Sequence, residues 1–288
     1  MALTLSLAFD AVVQGPHADP SPPQPLLSFR SQPFIPMIDA IMGAAPCHTL
    51  EEDGISLQPG SFGVMLSSPF FEIAHDGAWQ LPLKNPNGSY EGKEAVREAL
   101  AAIATKVHWA ASERHPFCVF IGRSYAAGGR FSLEEQKRIV MLVCRFEAAI
   151  DTLPQTQRTG RHVILSNCHD SESLKEAPSM DVICKLIQDA EDENALSELM
   201  NDKPTPTPTS IGQWRRNYKF KVVFPKYLHR YMIGFRQRSA TVSADEAVAW
   251  ALFILDFVNY AIDPSTDPMA GEATLDYLRG RGIRVPQV

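Results

Sequence analysis

The stretch Tyr231–Trp250, YMIGFRQRSATVSADEAVAW, decides how this chain is read. Its first residues alternate as a strand does. Met232, Gly234, Arg236 and Arg238 fall on one side, Ile233 and Phe235 on the other. A short turn follows. Ser243, with Glu246 three residues on, then has the pattern of a capping box opening a helix that runs to about Ile262. Taken alone, Gly234 suggests a bulge or a close backbone approach.

Working outward, LTLSLAFD at the amino terminus alternates strictly, with Leu3, Leu5, Leu7 and Phe9 on one face and Thr4, Ser6, Ala8 and Asp10 on the other. Ser61–Phe70, Phe117–Gly122 and Asn217–Phe224 read as further strands, and Glu91–Val107 has helical periodicity. SLEEQKRIVMLVCRFEAAID is a helix with its own capping box, Ser132 and Glu135. Met180–Met200 reads as one helical stretch, and ATLDYLRGRG near the end as a short helix. The Pro-rich segment 16–36 is expected to be a loop or lid, and KPTPTPT (203–209) an exposed connector. Strands and helices are intermixed without regular βαβ alternation, which predicts an α+β fold, mainly antiparallel sheet backed by helices. One domain is expected over 1–263, with 264–288 as a C-terminal extension.

The chain has 288 residues, a net charge of -6 and a pI near 5.8. This acidic balance gives no support for nucleic-acid binding. The five cysteines are odd in number and form no CxxC pair, so they read as reduced thiols of a cytoplasmic protein. MALTLSLAFDAVV lacks a basic start and contains Asp10, which favours a strand over a signal peptide. The apolar run from Ala247 to Ile262 holds Asp256 and Asn259 and is too short for a membrane span, so it reads as a core helix. GxGxxG, Walker A, HExxH, paired-cysteine zinc and GxSxG patterns are all missing. His75 and His169 sit in polar surroundings and read as solvated.

Two stretches together carry a resemblance. FCVFIGRS, with the helix after it and QRTGRHV beyond, and RNYKFKVVF followed by YMIGFRQRSATVSADEAVAWALFILDFVNYA, are similar to the amidoligase family of fungi and bacteria. GVMLSSPFF resembles that family's Gly-Val-Glu-Leu-x-Ser-Pro strand, and LSLAF sits where the family has a Glu-x-Glu strand. The resemblance covers roughly Ser61 to Ala261 and implies a glutamine-synthetase-like fold. It also implies a carboxylate–amine ligase that makes an acyl phosphate from ATP. The residues that would perform this chemistry differ. Ser6, Ala8 and Met65 stand where the family has Glu, Cys118 and Phe120 replace two His, Gly234 replaces the Glu of Glu-Phe-Arg, and Arg238 takes the place of the following His. Arg236 is retained.

Acyl-phosphate chemistry needs Mg²⁺ to offset phosphate charge, and Mg²⁺ takes hard oxygen ligands. Ser, Ala, Met, Cys, Phe and Gly do not provide that field, so the resemblance implies a divergent member with no metal and no cofactor. What remains on that face is Arg236 and Arg238, joined by Lys219 and Lys221 if Tyr218 and Phe220 face the core, with Phe120, Met65 and Met232 as apolar lining. A basic, partly apolar pocket suits an organic anion, either a carboxylate or the enolate of a dicarbonyl compound. Arg158 and Arg161 fall in a loop where the family also carries Arg, and are candidates for the same ligand.

Ordinary readings stand beside these. An Arg pair on a strand is commonly a solvated face, and Lys219 and Lys221 are commonly surface charge. Cys118 is a nucleophile only if neighbouring Arg lowers its pKa, and is otherwise an inert core thiol. Asp10 is either a base or a strand-end carboxylate without a catalytic role. Asp256 reads as a structural carboxylate and Trp250 as core. The expectation from the sequence is a repurposed amidoligase-like enzyme promoting a cofactor-free cyclisation, isomerisation, dehydration or pericyclic closure on a small biosynthetic intermediate. Its catalytic candidates are Arg236, Arg238, Cys118 and Asp10. The rivals are a non-catalytic ligand- or partner-binding pseudoenzyme, and an ATP-dependent ligase with metal ligands rearranged onto Asp10, Glu72 or Asp76.

Overall fold

The computed structural model describes residues 3–14, 39–41, 61–67, 71–74, 78–80, 92–94, 96–97, 100–101, 108–111, 116–124, 128–153, 166–201, 220–223, 232–239, 241 and 243–287. For 6, 8–14, 39–41, 61–67, 108–111, 116 and 220–223 the backbone alone is described. The strands are β1 (Leu3–Gln14), β2 (Asp39–Ile41), β3 (Ser61–Ser67), β4 (Phe71–Ile73), β5 (Trp79–Gln80), β6 (His108–Ala111), β7 (Pro116–Arg123), β8 (Phe220–Val223) and β9 (Met232–Ser239). The helices are α1 (Leu133–Ile150), α2 (Met180–Gln188), α3 (Glu193–Asn201), α4 (Ala244–Ile262) and α5 (Leu275–Gly280). Residues 92–94, 96–97 and 100–101 are also helical.

The strands form one sheet in the order β2-β3-β1-β7-β9-β8, and every pairing is antiparallel. β1 is long enough to pair four strands. Its first half lies between β4 and β7, its second half between β3 and β6. This is the α+β architecture expected from the intermixed elements.

Alternation gives the sheet one thoroughly apolar face. Leu3, Leu5 and Leu7 of β1, Phe117, Val119 and Ile121 of β7, and Ile233 and Phe235 of β9 all belong to one core with α1 and α4. Each is buried, and such a side chain contributes roughly 1.5–3 kcal/mol relative to an exposed one. Across this core α4 contributes Trp250, Phe253 and Phe257, whose rings follow one another at centroid distances of 5.2 and 5.9 Å. Trp250 is therefore core, as is the apolar run from Ala247 to Ile262. No helix among the described residues is long and apolar enough to cross a membrane.

Helix ends are held by neighbours. Ser132 and Glu135 form the reciprocal capping box their spacing predicts. α4 has no basic residue in its last turn; Arg138 of α1 supplies the cation, donating to the carbonyl oxygens of Ala261, Asp263 and Thr266 at 2.7 Å each. Lys137 likewise donates to the Gln188 carbonyl at the end of α2, at 2.7 Å.

Three details differ from the sequence reading. Met180–Met200 is not one helix but two, α2 and α3, because Asp192 caps a fresh start by accepting from the Ala195 N–H at 2.8 Å. The box at Ser243 is only half formed. The Ser243 hydroxyl accepts from the Glu246 N–H, but the Glu246 carboxylate turns to Arg238 and Thr241. Gly234 is not itself at a bulge: it pairs with Phe120 in continuous register, and the left-handed glycines among the described residues are 128, 129, 271 and 282. The segment after residue 263 folds back on the helical layer, with Leu278 and Ile283 in the core and Asp256 gripping Arg284. The segments 16–36 and 203–209 lie outside the described residues.

Candidate functional site

Residues directly opposite one another in an antiparallel sheet occupy the same face. On the face away from the helices, the register lines up the positions singled out in the sequence. Ser6 of β1 pairs with Phe120 of β7, Phe120 with Gly234 of β9, and Gly234 with Lys221 of β8. In the next row Ala8 pairs with Cys118, and one row beyond, Asp10 pairs with Met65. On the other side, Gly122 pairs with Met232. For Ser6, Ala8, Asp10, Met65 and Lys221 the register position is what the structure gives. Lys219, Arg158, Arg161 and Asp76 lie outside the described residues.

Cys118 and Met232 are buried, at 6% and 2% exposed, yet neither belongs to the core shared with the helices. Thr4 and Gly234 on the same face are buried too. This second face is therefore shielded from solvent over much of its extent, while Phe120 and Arg236 keep partial exposure. Cys118 is not in a disulfide. Gly234 adds no side chain to the row between Phe120 and Lys221. Among the described residues Arg236 makes no hydrogen bond or ion pair.

Arg238 is corrected by the structure. Strict alternation puts it beside Arg236, but the β7–β9 register slips by one residue between Phe117 and Val119. Val119 pairs with Phe235, whereas Phe117 pairs with Arg238, so Arg236 and Gln237 together oppose Cys118 as a β-bulge. Beyond the bulge the faces exchange. Arg238 shares the helix side with Phe117 and is 3% exposed. Its Nη1 donates to the Glu246 carbonyl oxygen at 2.9 Å and its Nη2 to the Glu246 carboxylate. Burial pushes the Arg238 guanidinium below its ordinary value, against the pull of Glu246. This arginine anchors α4 to the sheet and is withdrawn from the candidate site.

Gln237 takes the place that alternation assigned to Arg238. It is the extra residue of the bulge, between Arg236 on the second face and Arg238 on the helix side. No local pattern in RQRS marks the extra residue. The one hint is in SADE, where a capping glutamate gains from a nearby cation.

Among the described residues no group of three His, Cys, Asp or Glu side chains is placed to hold a metal ion. Glu72 of β4 pairs with Thr4 and Gln80 at the far edge of β1. The register brings the thiol of Cys118 and the ring of Phe120 to the same face as the Arg236 guanidinium, and the next residue, Gln237, carries both an amide donor and an amide acceptor.

No family model matches the chain, and no curated protein matches it. Among solved structures, a bifunctional glutathione synthetase from Pasteurella multocida is similar over 91% of this chain at 12% identity and a TM-score of 0.37. The chain spans 40% of that structure's own length. A likeness of this degree carries no argument about chemistry, so the functional reading rests on the second face of the sheet.

Proposed function

We propose that this chain is a repurposed amidoligase-like enzyme that binds a small organic anion on the second face of its sheet. There it promotes a cofactor-free step, such as cyclisation, isomerisation, dehydration or pericyclic closure. The observation that carries the reading is Arg236, a partly buried guanidinium without a hydrogen bond or ion pair among the described residues, beside a row to which Gly234 adds no side chain. A cation in that setting is matched to a carboxylate or an enolate, whose two oxygens fit the guanidinium fork. Catalysis would come from holding one reactive conformer, and from N–H bonds that strengthen as negative charge develops on oxygen. The partners are small molecules, and the reaction draws on no bound metal.

Arg236→Ala tests the reading. The variant should fold as the wild type and lose about 10- to 100-fold in affinity for small carboxylates, the span expected for a lost charged hydrogen bond. An unchanged affinity sinks it. Incubation with Mg-ATP separates the reading from a rearranged ligase, since release of ADP or phosphate above background would establish ATP chemistry. A non-catalytic binding protein shares the dependence on Arg236 but returns its ligand unaltered. Recovering the bound small molecule by mass spectrometry before and after incubation distinguishes the two.

A further inference from the structure

The β-bulge in β9 sets two consecutive residues, Arg236 and Gln237, opposite Cys118, and the second of them carries an unpaired buried donor. Gln237 is 3% exposed, and its Nε2 is fully buried without a hydrogen-bond partner among the described residues. An amide nitrogen carries two N–H donors, and burying them unpaired is costly. Nearly all buried polar groups in folded proteins are paired, so an orphan of this kind calls for an acceptor beyond the described residues. The bulge sets this donor beside Arg236, across from Cys118. The guanidinium has no acceptor and sulfur is a weak one, so neither Arg236 nor Cys118 can satisfy the Gln237 Nε2, and the amide's own strong acceptor, Oε1, cannot do so either.

We propose that Gln237 is a second ligand-contacting residue, whose Nε2 donates to an oxygen of the anion that Arg236 neutralises. The site then takes a group with two neighbouring oxygens sharing one negative charge, as in a carboxylate or a β-dicarbonyl enolate. Arg236 supplies charge, and Gln237 fixes which way the two oxygens point. This rests on the reading of Arg236 as the anion-binding cation. It adds that specificity is set by the bulge, where one extra residue replaces the second arginine of strict alternation with a neutral donor. A trapped water is the alternative occupant of the Nε2 site.

The test uses the full chain, with thermal unfolding followed over a concentration series of sodium acetate, and of acetylacetone at alkaline pH as the enolate arm. Sodium chloride at matched ionic strength is the reference. The wild type should be stabilised by one or both anions, and the arm that responds names the source. Arg236→Met should lose the response. Gln237→Met, close in shape but without the donor, should fold and require about 10-fold more anion for the same shift. Gln237→Asn, which withdraws the amide by one methylene, should show the same weakened response and is read in its place if the Met variant does not fold. A response within twofold of wild type in the Gln237 variants, with the Arg236 dependence intact, overturns this inference alone and leaves water as the occupant. No response of the wild type to either anion, or a wild-type response in Arg236→Met, overturns the anion reading of the face and this inference with it.

Discussion

The Arg238 guanidinium and the Glu246 carboxylate join the end of β9 to the first turn of α4, eight residues apart in the chain. Thr241 sits between them as a relay. Its hydroxyl donates to the Glu246 carboxylate at 2.8 Å and accepts from the Ser243 N–H at 3.1 Å. The amide that a complete capping box would satisfy through Glu246 is thus satisfied by Thr241, freeing the carboxylate for Arg238. The same arrangement recurs one strand away, where Arg123 at the end of β7 pairs with Glu135 in the first turn of α1. Both helices are pinned to the sheet by an arginine on the strand before them and a glutamate at the third helical position.

The two partners of the Arg238–Glu246 pair differ in burial, and their removal should differ in cost. The Arg238 side chain is 4% exposed and that of Glu246 55%. Glu246→Ala leaves a buried cation short of its counter-charge and should cost about 2–4 kcal/mol, whereas Arg238→Met fills the space with an apolar chain and frees a carboxylate already near water, at about 1 kcal/mol. Urea unfolding of both variants checks the order; equal costs, or the reverse order, contradict this account.

Acid should act on the Arg123–Glu135 pair. Burial pushes the Glu135 carboxyl up, but the Arg123 guanidinium and the Ser132 main-chain N–H outweigh it and hold the group below the usual glutamate range. A carboxyl with a depressed folded pKa stabilises the fold above its unfolded value, about 4.3, and that contribution is lost as pH falls through the lower folded value. Glu135→Gln should therefore cost about 1 kcal/mol at neutral pH and flatten the dependence of the urea midpoint on pH below about 5. A variant whose acid limb keeps the wild-type slope would show that other groups carry it.

At the carboxyl end, Asp256 accepts from the Arg284 guanidinium twice at 2.6 Å and from its main-chain N–H at 3.0 Å. Arg284 is 56% exposed and Asp256 only 18%, so the strand of contacts around Ile283 depends more on the aspartate. Asp256→Ala should cost about 1–3 kcal/mol and expose the chain after Gly280 to limited proteolysis; Arg284→Ala should cost less, about 1 kcal/mol. Mapping the first cleavage site by mass spectrometry decides whether this contact seals the terminus.

Much of the fold was legible in residue order. Leu3, Leu5 and Leu7, Ile233 and Phe235, and the apolar run of α4 declare one buried sheet face and the helix against it, because side-chain alternation is a property of a single strand. Ser132 and Ser243 mark their helix starts for the same local reason, since an N-cap acts within one turn. The cross-strand row from Ser6 through Phe120 and Gly234 to Lys221 was suggested by likeness and alternation, and the register places these positions together.

The division of labour between Arg236, Gln237 and Arg238 was decided only in three dimensions. Alternation within YMIGFRQRS puts both arginines on one face, and nothing in those residues announces an extra one. Across the bulge β9 stays paired with β7 at both ends, and beyond it Arg238 reaches the Glu246 carboxylate. That carboxylate is offered by a helix whose direction is set by its packing on the core. A one-residue slip reverses every face beyond it. The chain by itself thus marked the main strands of the buried face, the two long helices and their capping serines. The pairing of β9 with β7 through the bulge decided which of two arginines stays on the second face, and placed next to it a buried glutamine whose Nε2 is unpartnered among the described residues.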